Sequence, residues 1–266
     1  MLRLLLITAI FGSACTPSVL GGKLRADGYH HNLLPIHLRS SSGRAQQYVS
    51  PDWQLDNFRN EAGDWTQKEG PGYSTDVVVD LRGDRTDARR PQHTTQTPVF
   101  DVLLKHRRNG AQLWMRTELL PEPYRERTLE SLVAAYAEQL SGTAFVGVAV
   151  YPVSVAVSRG YATKIVSSGA TKVGDRDAYE AVIEVANLDQ LRLDPQSRSL
   201  IMHVVFVESG YDLYQSGPRG RARGRAIVVL GYSATPSAYE ESHEDFARFR
   251  AELVLGSPDR NGYVIE

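Results

Sequence analysis

The residues best placed to do chemistry are a run of arginines, seven histidines and a single cysteine. The arginines sit in Gly217-Pro218-Arg219-Gly220-Arg221-Ala222-Arg223-Gly224-Arg225. Arg219, Arg221, Arg223 and Arg225 alternate with small residues. An extended backbone points all four the same way, and a flexible one lets the glycines bring them together. Planar guanidinium forks grip phosphate or carboxylate, and beside a membrane each adds about 1 kcal/mol against anionic headgroups. These four are therefore the expected anion-contacting residues. The plainer alternative is a solvated hairpin loop joining a strand that ends near Glu208 to one that starts near Ala226.

The histidines are His30, His31, His37, His93, His106, His203 and His243. A helical zinc site wants His-Glu-x-x-His, because i, i+4 puts both rings on one face. His243-Glu244 supplies only the first half, and Ala247 stands where the second histidine belongs. His30 and His31 are neighbours, so on a strand they face opposite ways, and only distant partners would complete a site. Asp76 and Asp80 share a strand face, and Glu240 and Glu241 precede a helix, where negative charge suits the dipole. Gly-x-Ser-x-Gly, Ser-x-x-Lys and the Gly-x-x-x-x-Gly-Lys phosphate loop are all missing from the sequence. The expectation is thus no catalytic residue, no metal ligand and no cofactor.

The cysteine carries the sharpest signal. Met1-Leu2-Arg3 leads into an apolar run, Leu4 to Phe11, and then Gly12-Ser13-Ala14-Cys15. One positive charge, a short greasy stretch and small residues before a cut are the parts of a secretory signal peptide. The run is far short of the ~20 apolar residues that cross a bilayer as a permanent helix. Ser13, Ala14 and Cys15 resemble a bacterial lipobox, although Gly12 replaces the usual leucine. The resemblance implies cleavage before Cys15 and acylation of its sulfur, with anchoring by several acyl chains at ~0.8 kcal/mol per buried methylene. Thr16 rather than Asp follows, which leans toward the outer membrane over the inner. With no other cysteine, the mature chain has no internal disulfide and must rely on a hydrophobic core.

That core must come from roughly 250 residues, enough for one large domain or two small ones. A net charge of −1 sets up no global field that recruits nucleic acid, and 42% hydrophobic residues suit a folded domain. The expected organisation is a signal peptide over 1–14, a lipid-anchored tether over 15–27, one domain over 28–256 and a polar, frayed tail over 257–266. Extended segments are expected at His31–Arg39, Ala45–Phe58 with a turn at Ser50-Pro51-Asp52, Tyr73–Leu81, Phe100–His106, Ala111–Leu119, Thr143–Val157, Tyr161–Val166, Ala178–Ala186, Leu200–Glu208 and Ala226–Ser233. Arg82 to Thr97 is polar and aperiodic, a long loop. Asn109-Gly110 between two strands predicts a hairpin with a type I′ turn.

Two helices stand out. In Tyr124–Leu140 the residues Leu129, Leu132, Val133, Tyr136 and Leu140 share a face, and Gly142 follows the end. His243–Val254 has Phe246, Phe249 and Leu253 as its stripe, with Ser242 as N-cap and Asp245 completing a capping box. The fold class is therefore α+β: a largely antiparallel sheet with two main amphipathic helices packed on it. This element order, with Val173-Gly174-Asp175-Arg176 leading into a strand, resembles the PsbP-like α/β sandwich over roughly Tyr29 to Leu255. That resemblance implies binding or scaffolding. The expected function is a membrane-anchored envelope lipoprotein that binds a protein, glycan or lipid, and no nucleic acid. The competing expectation, a periplasmic or surface hydrolase, needs side chains converging in a pocket.

Overall fold

A computed structural model describes residues 21–41, 43, 48–59, 65–67, 100–120, 125–140, 161–187, 200–217, 220–257 and 259–265. Cys15, Asp76, Asp80, His93, Arg219, the Tyr73–Leu81 and Thr143–Val157 segments and the Arg82–Thr97 loop lie outside them. The described chain is α+β and mostly sheet, with thirteen strands and three short helices.

The larger sheet is built around β10 (Leu200–Gly217) and β11 (Gly220–Ala234). Both carry near-continuous apolar runs because both of their faces are covered. Val204, Phe206, Ile227 and Val229 face one core; Val205, Val207, Val228 and Leu230 face the other. The neighbours of β11 continue outward through β7 (Gln112–Leu120), β6 (Val102–His106), β4 (Trp53–Arg59) and β5 (Trp65–Gln67). On the β10 side come β9 (Arg176–Asn187) and β8 (Tyr161–Val173). These pairings are antiparallel; β13 (Asp259–Ile265) lies parallel to β10.

A smaller antiparallel sheet, β1 (Gly22–Arg25), β2 (Gly28–His31), β3 (Ile36–Arg39) and β12 (Leu253–Leu255), covers one face. Its inward row of Tyr29, Leu38 and Leu253 joins Trp53, Val205 and Tyr232 in the first core. Helices α2 (Pro236–Ser242) and α3 (Glu244–Glu252) lie on the same side, where Phe246 and Phe249 are buried. Helix α1 (Leu129–Leu140) packs on the opposite face through Leu132, Val133 and Tyr136. Thr128 starts it, its Oγ1 accepting from Ser131 N at 3.2 Å. The helices thus flank the sheet on both faces.

Several expectations change. The run 31–39 is broken by a turn between the end of β2 at His31 and the start of β3 at Ile36, where His31 Nδ1 accepts from the amides of Leu33 and Leu34. The Asn109-Gly110 hairpin forms, but its loop is four residues long, with His106 N bonded to Ala111 O at 2.8 Å. Gly110 has a φ of 74° and Asn109 does not share the positive region, so the turn is not type I′. The last helix is split, and it begins at Pro236 rather than His243. Thr235-Pro236 opens α2, with proline at the first turn, where its missing N–H costs nothing. Ser242 caps nothing; it is buried and its Oγ bonds Ala238 O at 2.9 Å. The segment 259–265 pairs with β10 instead of fraying, and Gly22–Arg25, assigned to the tether, pairs with β2.

Candidate functional site

From Gly220 to Arg225 the arginine run is strand, not loop. Strands β10 and β11 pair as far as Gly217 opposite Gly220, with Arg221 opposite Ser216, Arg223 opposite Tyr214 and Arg225 opposite Asp212. Arg221, Arg223 and Arg225 are alternate residues of β11. The strands run longer than their apolar stretches because a bulge between Glu208 and Asp212 realigns them. Gly210 takes a φ of 77° there, and Ser209 Oγ accepts from Tyr211 N at 3.1 Å.

Arg225 is a tied residue. Its Nε donates to Glu208 Oε2 at 2.9 Å, Nη2 reaches the same oxygen, and Nη1 donates to the carbonyls of Arg127 (2.6 Å) and Arg125 (3.2 Å). The guanidinium thereby holds the approach to α1 against the β10–β11 bulge. A cleft of about 240 Å³ opens beside it, lined by Arg125, Glu126, Glu208, Gly210, Tyr211, Asp212 and Arg225. Arg125 lies 3.6 Å from Asp212 and 3.4 Å from Glu126. Three carboxylates against two guanidiniums leave this cleft without the positive excess that an anion needs.

The histidines divide by role. His106 closes the β6–β7 hairpin, its Nδ1 accepting from Asn109 N, with its ring edge-on to Trp53 at 5.0 Å. His203 lies over Phe246 at 4.7 Å and 3.5 Å from Glu180, which Arg250 of α3 also holds at 2.8 Å. Burial lowers the pKa of His203 below its ordinary value, with Glu180 acting the other way. His243, between α2 and α3, is exposed and stacks on Tyr239 at 5.3 Å.

His30 and His37 come together. They are cross-strand partners on the outward face of the smaller sheet, with ring centroids 3.9 Å apart and planes 18° apart. Asp27, in the two-residue turn between β1 and β2, completes the group: His30 Nε2 lies 2.9 Å from its Oδ1 and His37 Nε2 3.8 Å from its Oδ2. One donor atom from each residue lies within 4.8 Å of the other two. The turn is held from outside, since Ser40 N donates to Asp27 O at 2.8 Å. Gly28, which sends the chain back, has a φ of 135°, and a Cβ there would stand 2.1 Å from Leu38 O. The hydrogen bond to His30, opposed by burial, lowers the pKa of Asp27; burial and then the charge of His30 lower that of His37. His31, on the alternate face, is buried as the strand period requires. Reading 31–39 as one extended segment hides this group, because only the hairpin break puts His37 opposite His30.

No family model matches the chain, and no curated protein matches it. Among solved structures the chain is similar to the solution structure of cyanobacterial PsbP (CyanoP) from Synechocystis sp. PCC 6803. The identity is 10% and the TM-score 0.36, with 61% of this chain and 78% of that one covered. This is a weak PsbP-like resemblance.

Proposed function

We propose that the chain is a lipid-anchored protein of the bacterial envelope that binds a partner and does not catalyse. Lipid on Cys15 holds it to the membrane, and the outer membrane is the favoured one. The observation that carries this reading is the short distance from the cysteine to the fold. Strand β1 begins at Gly22, so Thr16 to Gly21 are all that separate Cys15 from a paired strand. Fully extended, such a segment spans at most ~20 Å. Acyl chains on Cys15 would keep the β1–β3 sheet near the headgroups, while the α1 face and the long β10–β11 arm remain for a protein, glycan or lipid partner.

Arg219, Arg221 and Arg223 are the proposed anion contacts. Arg225 is held by Glu208 and two carbonyls. The anchor is tested by fractionating cells that express the chain and its Cys15→Ser form. The wild type is expected with membranes and the variant in the soluble fraction. Equal membrane retention of both removes the lipid anchor from the account.

A further inference from the structure

The Asp27, His30 and His37 group is unused by the anchor and by the arginine arm, and its chemistry is that of a ligand set. Two imidazoles and one carboxylate, borne on the β1–β2 turn and the adjoining strands, present their donor atoms within 4.8 Å of one another. We propose that Asp27, His30 and His37 bind a divalent transition-metal ion of the zinc class.

The positions are built by the backbone, not by flexible side chains meeting by chance. His30 and His37 are registered across β2 and β3. The inner face of the same strands is locked by Tyr29 and Leu38, both at 0% exposure. Asp27 is fixed by the bond from Ser40 to its carbonyl and by the left-handed Gly28 beside it. The side chains of His30 and His37 are 26% and 19% exposed, so an ion can reach the nitrogens while the rings stay seated.

Zinc takes imidazole nitrogen and carboxylate oxygen at about 2.0–2.2 Å in a tetrahedral set. The stacked rings lie side by side with their Nε2 atoms near the carboxylate. To share one ion, both rings turn out of their stack so that the Nε2 lone pairs converge, His30 giving up its 2.9 Å contact with Asp27 Oδ1 and His37 its 3.2 Å contact with Asp27 O. Three protein ligands leave a fourth position open for water or for a donor from a partner. Imidazole ligation favours zinc and copper over magnesium and calcium, which take oxygen ligands. Lys23, opposite His30 on β1, adds a positive neighbour, so the site is a moderate binder rather than a buried structural one. None of this depends on acylation of Cys15.

The test is calorimetric titration of the full chain with zinc chloride, in the Cys15→Ser form so that no thiol competes. One zinc per chain is expected, with magnesium chloride giving no heat. His30→Ala and His37→Ala should each abolish uptake, and Asp27→Asn, which replaces the charged carboxylate ligand by an amide, should weaken it strongly. His243→Ala, which removes an exposed histidine elsewhere, should bind as the parent does. Thermal melting of each metal-free variant establishes that it is folded, and zinc should raise the melting temperature of the parent, raise that of Asp27→Asn less, and leave that of His30→Ala unchanged. Absence of stoichiometric zinc in the parent, or undiminished uptake in folded His30→Ala and Asp27→Asn, overturns the proposal.

Discussion

Adding one methyl group at Gly231 should destabilise the protein through a single identifiable collision. Gly231 of β11 lies opposite Trp114 of β7. A Cβ at this position would stand 2.0 Å from Cζ2 and 2.1 Å from Cε2 of the indole. Non-bonded carbons settle at about 3.5–4.0 Å, so the ring would have to retreat by roughly 1.5 Å. It has little room, being 2% exposed and packed on Phe100 at 5.0 Å. Overpacking of this kind costs ~1–3 kcal/mol. Relief of glycine's backbone entropy offsets roughly 0.5–1 kcal/mol of that, leaving a net loss of roughly 0–2.5 kcal/mol, centred near 1–1.5 kcal/mol. With a urea slope of roughly 2 kcal/mol per molar, the unfolding midpoint of Gly231→Ala should fall by about 0.5–0.75 M. The same change in a Trp114→Leu background should be close to neutral, because the ring that blocks the methyl is gone. An unchanged midpoint in the wild-type background, or an equal fall in both, would refute the collision and with it the β7–β11 register.

Three further outcomes follow from particular contacts. Gly110→Val should cost ~1–2 kcal/mol from backbone strain alone, since φ is 74° and no atom crowds the added Cβ; Gly110→Asn should cost clearly less, and equal losses would place the strain elsewhere. Arg225→Ala should lower stability by ~1–3 kcal/mol, because it strips Glu208 and two carbonyls of their donor, and an unshifted denaturation midpoint would contradict that bracing role. Burial holds the His203 pKa below its ordinary value of 6.5, so the unfolded chain binds that proton more readily and stability is lost as pH falls through the ordinary value. His203→Gln should therefore lose less stability than wild type between about pH 7.5 and about pH 5.5, and parallel losses would remove His203 as the cause.

How much was legible follows from where local and long-range signals agree. The helix around Leu132, Val133 and Tyr136 and the hairpin at Asn109-Gly110 are local patterns, and both form. The ends of β10 and β11 were hidden because their arm is polar and glycine-rich, and it reads as a loop until pairing across the Gly210 bulge is known. Strand β13 is a polar segment ordered by its partner, which no local propensity reveals. Ser242 shows the converse error: a good capping residue, overruled by the Thr235-Pro236 start just upstream. The Asp27, His30 and His37 group depended on register, and a shift of one residue would have turned His30 inward and His31 outward.

The central claim is the lipid on Cys15, and mass spectrometry of the mature N-terminus tests it most directly. The mature chain should begin at Cys15 and carry the mass of acyl groups on that residue. A mature chain beginning at Cys15 with no added acyl mass would contradict it.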